Sequence, residues 1–340
     1  MRRIERIWSG NSAGDRLARV ALAPVELLFR SIVGIRGELY DRGILTVEKS
    51  SLPVISIGNV TVGGTGKTPI AAWMTSRLLK QGRKPAIVLR GYGDDESLVH
   101  KKLNPSATVL VFPDRAAGIA AAGKAGADVV VLDDAFQHRR ASRDIDIVLV
   151  SADMWQSEQR LLPSGPYREP LSAIRRASAV IVTRKTASDE KLADVEAAVR
   201  RAAPGMGVAR ASLRLEDLIS WRDPATRFEL RVLANKRVLA IAAVGNNEAF
   251  FSQVRALGAS VTAVAFPDHH NFTNDDIRHL ADRATACDYV ICTLKDAVKL
   301  GPRWPADAKP LWYVSLSVIV ESGTEAIDEL ISHLKSQEAP

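Results

Sequence analysis

The chain has 340 residues, of which 46% are hydrophobic and 25% charged, and its formal net charge is +7. This composition indicates a globular protein with a substantial core and enough residues for two domains of ordinary size. The two cysteines, Cys287 and Cys292, argue against a disulfide framework or a zinc site and favour a reducing cytosol. The positive charge suits an anionic partner, but aromatic residues do not interleave with a basic patch, which argues against nucleic acid.

The first predicted element is an amphipathic helix. It is neither a signal peptide nor a membrane span, because charged residues and Pro24 interrupt its apolar residues. Arg16, Arg19 and Arg30 share its polar face. Such a helix can lie in a membrane interface, and packing against the protein core is the open alternative. The predicted apolar face consists of Leu17, Val20, Ala21, Val25, Leu28, Phe29 and Ile32.

A glycine-rich segment follows a predicted strand at residues 54–57 and precedes a predicted helix at residues 69–80. This arrangement binds nucleoside triphosphates, because backbone N–H groups and the helix N-terminus surround the phosphates. Lys67 would contact the β- and γ-phosphates and Thr68 would ligate Mg²⁺. The usual motif has glycine at the position of Thr61. The predicted nucleotide-binding residues are Thr61, Val62, Gly63, Gly64, Thr65, Gly66, Lys67 and Thr68.

Short apolar runs then alternate with helical stretches, which predicts a mostly parallel sheet flanked by helices. An alternating segment at residues 207–234 predicts an exposed antiparallel pair that links two domains. The further predicted strands lie at residues 86–89, 109–111, 129–132, 145–149 and 179–183, and after the linker at 237–243, 261–265, 289–293 and 311–315. The further predicted helices lie at residues 115–125, 188–202, 247–257, 273–286 and 323–335.

These patterns predict an α/β protein with a P-loop NTPase-like sheet, a second smaller α/β domain and an N-terminal amphipathic helix. The predicted bounds are residues 1–35 for the N-terminal helix, 36–206 for the P-loop domain, 207–234 for the two-stranded linker and 235–340 for the smaller domain.

Polar side chains follow several predicted strands of the P-loop domain. Asp133 and Asp134 end a buried strand, at the position where P-loop enzymes hold Mg²⁺. His138 follows them, and we interpret it as a site residue in preference to a structural histidine. Arg168 lies in a proline-rich loop and would hold phosphate, unless that loop is only a connector.

Two other loops carry candidate acid–base groups. Asp94, Asp95 and Glu96 follow the strand at residues 86–89 and could supply a base for a substrate hydroxyl, or form a solvated turn. In the second domain, adjacent histidines point in different directions and lack a third ligand, so the sequence argues against a metal site there. A role for His269 in proton transfer is favoured, with the ring facing a cleft between the domains and either oriented by Asp268 or paired with a carboxylate across that cleft.

Together these segments resemble the tetraacyldisaccharide 4′-kinase family, in which threonine also occupies the position of Thr61. The resemblance implies a P-loop kinase that uses ATP and Mg²⁺ to phosphorylate the 4′-hydroxyl of tetraacyl-disaccharide 1-phosphate, a lipid A precursor, giving lipid IVA. It also implies a membrane-associated N-terminal helix at the cytoplasmic face of the bacterial inner membrane. The segments that carry the resemblance are residues 58–69, 90–93, 114–115, 132–140, 162–170, 244–246, 266–270 and 293–300.

The resemblance also implies roles for individual residues. Asp95 would be the catalytic base, with Asp94 as the fallback, and His269 would support it. Lys67 would act on the transferred phosphate. Thr68, Asp133 and Asp134 would manage Mg²⁺, whereas Arg115, His138 and Arg168 would contact phosphate or the sugar head group.

The chain departs from the family pattern at three places. Ala135 replaces a usual glycine, Leu294 replaces a usual glutamate, and the segment after Gly93 is shorter than expected, which leaves the choice between Asp94 and Asp95 open. The alternative enzyme is a soluble P-loop ATPase or ligase that acts on a small metabolite. A nucleotide-binding switch that transfers no phosphate is the alternative outside catalysis.

Overall fold

The computed structural model describes Ile4, Ile7, Trp8 and residues 10–91 and 95–334. Within these residues the helices are α1 (Ala13–Asp41), α2 (Lys67–Lys80), α3 (Asp95–Leu103), α4 (Arg115–Lys124), α5 (Asp189–Ala202), α6 (Asn247–Ala256), α7 (Asn274–Ala284), α8 (Leu294–Leu300) and α9 (Thr324–Ser332). The strands are β1 (Val54–Asn59), β2 (Pro85–Leu89), β3 (Thr108–Val111), β4 (Val129–Asp133), β5 (Ile145–Ser151), β6 (Ala179–Arg184), β7 (Gly207–Ser220), β8 (Arg227–Glu229), β9 (Arg237–Ala242), β10 (Ser260–Ala265), β11 (Tyr289–Thr293) and β12 (Leu311–Ser322).

The chain forms two compact units. Unit 1 contains the described parts of Met1–Gly91, Leu103–Ser212 and Val320–Pro340, and unit 2 contains those of Tyr92–Lys102 and Leu213–Ile319. Strands β7 and β12 each begin in one unit and end in the other.

The sheet of unit 1 has the strand order β7-β6-β5-β1-β4-β2-β3, and its neighbouring strands are parallel. Every residue of β1, β4 and β5 is buried, as expected when helices cover both faces of a parallel sheet. The register places Ile57 of β1 opposite Asp133 of β4, so the carboxyl ends of these strands are adjacent. The predicted mostly parallel sheet with flanking helices is therefore confirmed.

Alternate residues of the unit 1 strands face opposite helices. Val130 and Leu132 of β4 pack with Ile119 of α4 in one apolar cluster. Val148 of β5 packs with Val195 of α5 in another. Each buried aliphatic side chain contributes about 1.5–3 kcal/mol to the stability of the fold. These two apolar clusters therefore hold β4 and β5 in place, and with them the polar groups at the strand ends.

Unit 2 has its own sheet and core. Strands β10, β9, β11 and β12 are parallel neighbours in that order, and the unit 2 part of β7 lies beside β12 and pairs with β8 in an antiparallel manner. Leu239 and Ile241 of β9 pack with Leu280 of α7, whereas Val238 of β9 packs with Phe250 of α6 on the other face. This alternation holds α7 and α8 against one face of the sheet.

The compact units differ from the predicted domain bounds in two segments. Residues 95–102, predicted to lie in the P-loop domain, form most of helix α3 and belong to unit 2, where Asp95 contacts Lys299. Residues 320–334 belong to unit 1, where Glu321 pairs with Arg184 at 2.8 Å. The functional division into domains stays a prediction.

Helix α1 is present, and its contacts with the rest of unit 1 are both polar and apolar, because Phe29, predicted on the apolar face, packs against the core of that unit. Glu26 is buried, and its Oε1 accepts hydrogen bonds from the Leu161 backbone N–H at 2.9 Å and from Arg30 at 3.1 Å. Leu17, Leu28 and Ile32 are 70%, 62% and 56% exposed. None of the described helices combines the length and the apolar character needed to cross a membrane.

Candidate functional site

The glycine-rich loop joins β1 to α2, as the sequence predicts. Gly66 has a φ of 92°, a left-handed conformation that favours glycine, and helix α2 begins at the next residue, Lys67. The loop is held from both sides, because Asn59 Nδ2 donates to Thr65 Oγ1 at 2.7 Å and Thr183 Oγ1 donates to the Thr65 carbonyl at 2.9 Å. These bonds preorganise a helix N-terminus, which is a favourable position for an anion.

Gly58 allows the end of β1 to approach the segment that follows the acidic strand end. A Cβ at Gly58 would lie 2.5 Å from the Cβ of Phe136, a separation that no side chain tolerates. This close approach brings Asn59 beside Gln137, whose Nε2 donates to the Asn59 carbonyl at 2.9 Å. Neither Asn59 nor Gln137 is among the predicted site residues, although both lie in segments that carry the family resemblance.

Thr68 and Asp133 meet at the carboxyl ends of the strands. Thr68 Oγ1 donates to Asp133 Oδ2 at 3.1 Å, and Asp133 is buried. A hydroxyl and a carboxylate at this distance form an oxygen donor set of the kind that Mg²⁺ prefers, so the two residues fit the predicted metal. The structure thus brings together these two of the three predicted metal ligands.

Asp134 lies among cations. Its Oδ1 is 3.8 Å from Lys67 Nζ and 2.8 Å from Arg168 Nη2. Burial favours a raised pKa for Asp134, but the positive charges of Lys67 and Arg168 outweigh it and lower the pKa below its usual value. Asp134 has a φ of 53°, a strained backbone of the kind that persists where surrounding contacts fix it.

Arg168 lies in the proline-rich loop at residues 162–170 and is held in place there by hydrogen bonds. Its backbone N–H donates to the Val60 carbonyl at 2.8 Å, and its guanidinium donates to Asn59 Oδ1 and to Asp134. Tyr167, the preceding residue, is buried and pairs with Thr61 across an antiparallel bridge. The loop is therefore fastened to the start of the glycine-rich segment.

Arg115 and His138 lie behind the acidic strand end. Arg115 is 2% exposed, and its guanidinium donates to the Phe112 carbonyl at 2.9 Å and to the Asp133 carbonyl at 3.2 Å. His138 is partly buried, and burial together with the charge of Arg115 lowers its pKa, which favours the neutral ring. The burial of Arg115 depends on how α4 packs and has no signal in the sequence.

In unit 2, Asp95 is the first residue of α3 and is 2% exposed. Its carboxylate lies 3.3 Å from His269 Nδ1 and 3.3 Å from Lys299 Nζ. Burial favours a raised pKa, but the His269 hydrogen bond and the charge of Lys295 outweigh it and lower the pKa of Asp95 to about 2. Asp94, the fallback base, lies outside the described residues.

His269 has a φ of 59° and is about one-third exposed. Its Nδ1 faces Asp95, whereas its Nε2 faces helix α8, where Lys295 Nζ is 3.1 Å away. Lys295 also contacts Asp268, at 3.5 Å. The structure thus brings together Asp95 and His269, as predicted, and adds Lys295 and Lys299, which lie in the segment 293–300 that carries part of the family resemblance.

Comparisons with known proteins identify the family of this chain. The family model of LpxK, described as tetraacyldisaccharide-1-P 4'-kinase, matches residues 18–100 and 93–335. The tetraacyldisaccharide 4'-kinase of Anaeromyxobacter sp. (strain Fw109-5) is 38% identical over 335 residues, which is 90% of both chains. That of Bdellovibrio bacteriovorus is 32% identical and covers 93% of this chain and 99% of its own.

A solved structure gives the same result. The crystal structure of LpxK from Aquifex aeolicus in complex with ATP is 28% identical and has a TM-score of 0.72, covering 93% of this chain and 99% of that one. The agreement in sequence spans most of the described chain, including both groups of candidate site residues. The chain belongs to the tetraacyldisaccharide-1-P 4'-kinase family.

Proposed function

We propose that this chain is an ATP- and Mg²⁺-dependent kinase that phosphorylates the 4′-hydroxyl of tetraacyl-disaccharide 1-phosphate and thereby forms lipid IVA in lipid A biosynthesis. Family membership supports the reaction class and the substrate. The observation that carries the proposal is the contact of Thr68 with Asp133 beside Lys67 at the start of α2. Phosphoryl transfer needs such a site, because positioning and charge neutralisation supply most of its catalysis.

Unit 1 carries the groups for the nucleotide. The backbone N–H groups of residues 61–66 and the Lys67 ammonium would hold the phosphates of ATP. Thr68, Asp133 and Asp134 would hold Mg²⁺, which neutralises charge on the phosphates when it is bound. Asp134 has a second task, because its contacts with Lys67 and Arg168 orient both cations.

Unit 2 carries the proposed base. Asp95 is ionised throughout the neutral pH range, since its pKa is about 2, and it would accept the proton of the 4′-hydroxyl. His269 supports it through the 3.3 Å contact at Nδ1. A base of low intrinsic strength suits this reaction, in which orientation of the hydroxyl matters more than early removal of its proton.

The three predicted substrate contacts divide into two groups. His138 and Arg168 keep their proposed contacts with phosphate or the sugar head group. Arg115 is buried beneath the Asp133 carbonyl, so we assign it to holding Asp133 in position. In this role its loss would weaken the Mg²⁺ site without a direct contact to the lipid.

Helix α1 supports a site of action at the cytoplasmic face of the inner membrane. Several of its large apolar side chains, among them Leu17, Leu28 and Ile32, are more than half exposed, whereas its buried Glu26 contacts the rest of unit 1. An apolar helix face with arginines beside it binds the interface of an anionic membrane. The partners would be the lipid substrate and the membrane surface, with no nucleic acid.

The direct test is incubation of the purified chain with labelled ATP, Mg²⁺ and tetraacyl-disaccharide 1-phosphate. We expect a labelled bisphosphorylated lipid that requires Mg²⁺, and a loss of at least about 10²-fold in kcat for Lys67→Ala. ATP hydrolysis without labelled lipid would support the ATPase alternative. Nucleotide binding with neither product would support the switch, and either result would overturn the proposed function.

The base assignment has its own test, in which Asp95→Ala and Asp94→Ala are compared. We expect Asp95→Ala to lose roughly 10²- to 10⁴-fold in kcat, the usual contribution of general acid–base catalysis. If Asp94→Ala shows that loss and Asp95→Ala does not, the base is Asp94. If both variants keep wild-type turnover, neither residue is the base.

A further inference from the structure

Helix α8 places two lysines against the proposed base. Lys295 and Lys299 are one helical turn apart and therefore lie on the same face of α8. Lys299 Nζ is 3.3 Å from Asp95 Oδ2 and donates to the His270 carbonyl at 2.9 Å. Lys295 Nζ is farther from Asp95, at 4.0 Å, and closer to His269 Nε2, at 3.1 Å. The two lysines thus contact different members of the Asp95–His269 pair.

The contact between Lys295 and His269 determines which ring nitrogen carries the proton. A lysine ammonium is a donor only, so a hydrogen bond at 3.1 Å requires a lone pair on His269 Nε2. The proton of a neutral ring then lies on Nδ1, which is 3.3 Å from Asp95 Oδ1. In this tautomer each contact has one donor and one acceptor, from Lys295 through the imidazole to Asp95.

We propose that Lys295 is a positioning residue that holds His269 as the neutral, Nδ1-protonated tautomer and thereby fixes the hydrogen bond that His269 donates to Asp95. The role rests on the proposed function, because Asp95 is the proposed base. Without the ammonium at Nε2, the ring is free to take the other tautomer, whose bare Nδ1 faces the carboxylate and repels it. Asp95 would then lose the partner that orients it.

Charges around the ring oppose one another. The hydrogen bond to Asp95 raises the pKa of His269 above its usual value, because it outweighs burial and the charge of Lys295, which act in the opposite direction. Removal of Lys295 should therefore let the ring take up a second proton at higher pH. The titratable and charged groups that face His269 are Asp95 and Glu96 of α3, Asp268 of its own loop, and Lys295 and Lys299 of α8.

The test is nitrogen NMR of the histidine rings in the full-length protein, with His269→Gln used to identify the resonance. In wild type at pH 8 we expect the proton on Nδ1 and a bare Nε2. In Lys295→Met we expect a mixture of tautomers and a rise in the pKa of His269, because the neighbouring positive charge is gone. Lys295→Arg keeps a donor-only cation, so it should keep both the tautomer and the pKa.

Lys236→Met is the matched control, because Lys236 is an exposed lysine of the same unit and its loss changes the net charge equally. It should leave the His269 resonances unchanged. A wild-type ring with its proton on Nε2 would overturn the proposal. So would a Lys295→Met spectrum that matches wild type in both tautomer and pKa.

Kinetics supply the second readout. We expect Lys295→Met to lose about tenfold in kcat/KM for the lipid at pH 7, with its acid limb moved to higher pH and KM for ATP unchanged. Lys295→Arg, which keeps donor and charge, should recover most of the loss. An unchanged pH profile in an active Lys295→Met enzyme contradicts the positioning role. A wild-type enzyme that transfers no phosphate contradicts the proposed function, and the NMR result still decides the tautomer.

Discussion

Asp296 shows how hydrogen bonds accommodate a buried carboxyl group in this fold. It is fully buried at the start of α8, where its Oδ1 accepts a hydrogen bond from the Ala243 backbone N–H at 3.1 Å and its Oδ2 accepts one from Thr293 Oγ1 at 2.6 Å. Burial raises its pKa to about 6, despite these hydrogen bonds and the charge of Lys299. The residue ties β9 to the helix that carries Lys295 and Lys299.

This raised pKa makes stability depend on pH. Because the pKa in the folded protein lies above the ordinary value of 3.8, the stabilising contribution of Asp296 is complete below 3.8 and is lost as pH rises through about 6. We expect that contribution to fall by about 1–2 kcal/mol between pH 5 and pH 8. Asp296→Asn cannot titrate, so its free energy of unfolding relative to wild type should improve by this amount over the same interval, as measured by urea denaturation.

Asp288→Asn is the control for that measurement. The hydrogen bonds and charge of Arg237 lower the pKa of Asp288, so its contribution changes only as pH falls below 3.8. Its difference from wild type should be constant between pH 5 and pH 8. An Asp296→Asn difference that is equally constant would show that the carboxylate titrates at an ordinary pH.

At the scale of elements, helix α1 combines polar contacts with the rest of unit 1 and an exposed apolar surface. Ser12 and Asp15 form a capping box at its start, and buried Glu26 and the Arg36 contact with the Gln137 carbonyl fasten it to unit 1. Most of its large apolar residues are exposed, although Phe29 packs against the core of unit 1. The helix is thus fixed largely by polar contacts, whereas most helices of a globular protein are fixed by a continuous apolar face.

We expect Leu28→Ser combined with Ile32→Ser to reduce binding to vesicles that contain an anionic phospholipid by at least about tenfold, because each side chain forfeits apolar burial in the interface. Flotation of protein with vesicles measures the change. Ile319→Ser removes an apolar side chain that is 42% exposed in unit 2 and should leave binding unchanged. Equal losses in the two variants would argue against α1 as the membrane contact.

The sequence predicts regular elements well where a local pattern determines them. The run of apolar residues at 179–183 corresponds to β6 at Ala179–Arg184. Helix α3 is not predicted from the sequence, because its nine residues carry little apolar periodicity and the contacts of Asp95 that help hold it come from distant residues. The same limit applies to α8, whose seven residues are too few to show a helical pattern.

Some contacts of the candidate site could likewise be predicted from the sequence, and others could not. The meeting of Thr68 with Asp133 could be predicted, since the carboxyl ends of neighbouring parallel strands lie together. The burial of Arg115 and the approach of Lys295 to His269 could not, because each depends on how a helix packs against residues far away in sequence. Sequence patterns identify residues by type and spacing, and they leave the packing of helices undetermined.

At the scale of the whole molecule, the two units carry different parts of the proposed reaction. Lys67, Thr68 and Asp133 lie in unit 1, whereas Asp95 and His269 lie in unit 2. Nucleotide affinity should therefore depend on unit 1, because its residues would hold the phosphates and Mg²⁺. Transfer to the lipid should depend on both. Substitutions in the two units can separate these properties.

We expect Mg²⁺ and ATP at about 100 times Kd to raise the Tm of wild type by roughly 2–4 °C, since a ligand that binds only the folded state stabilises it. Asp95→Asn should keep this shift while it loses at least about 10²-fold in lipid phosphorylation. Lys67→Ala should lose both, because the ammonium that meets the β- and γ-phosphates is gone. Thermal denaturation and the labelled-lipid assay measure the two properties on the same samples. If Asp95→Asn abolishes the thermal shift together with transfer, nucleotide binding is not confined to the groups of unit 1, and the proposed division of roles is wrong.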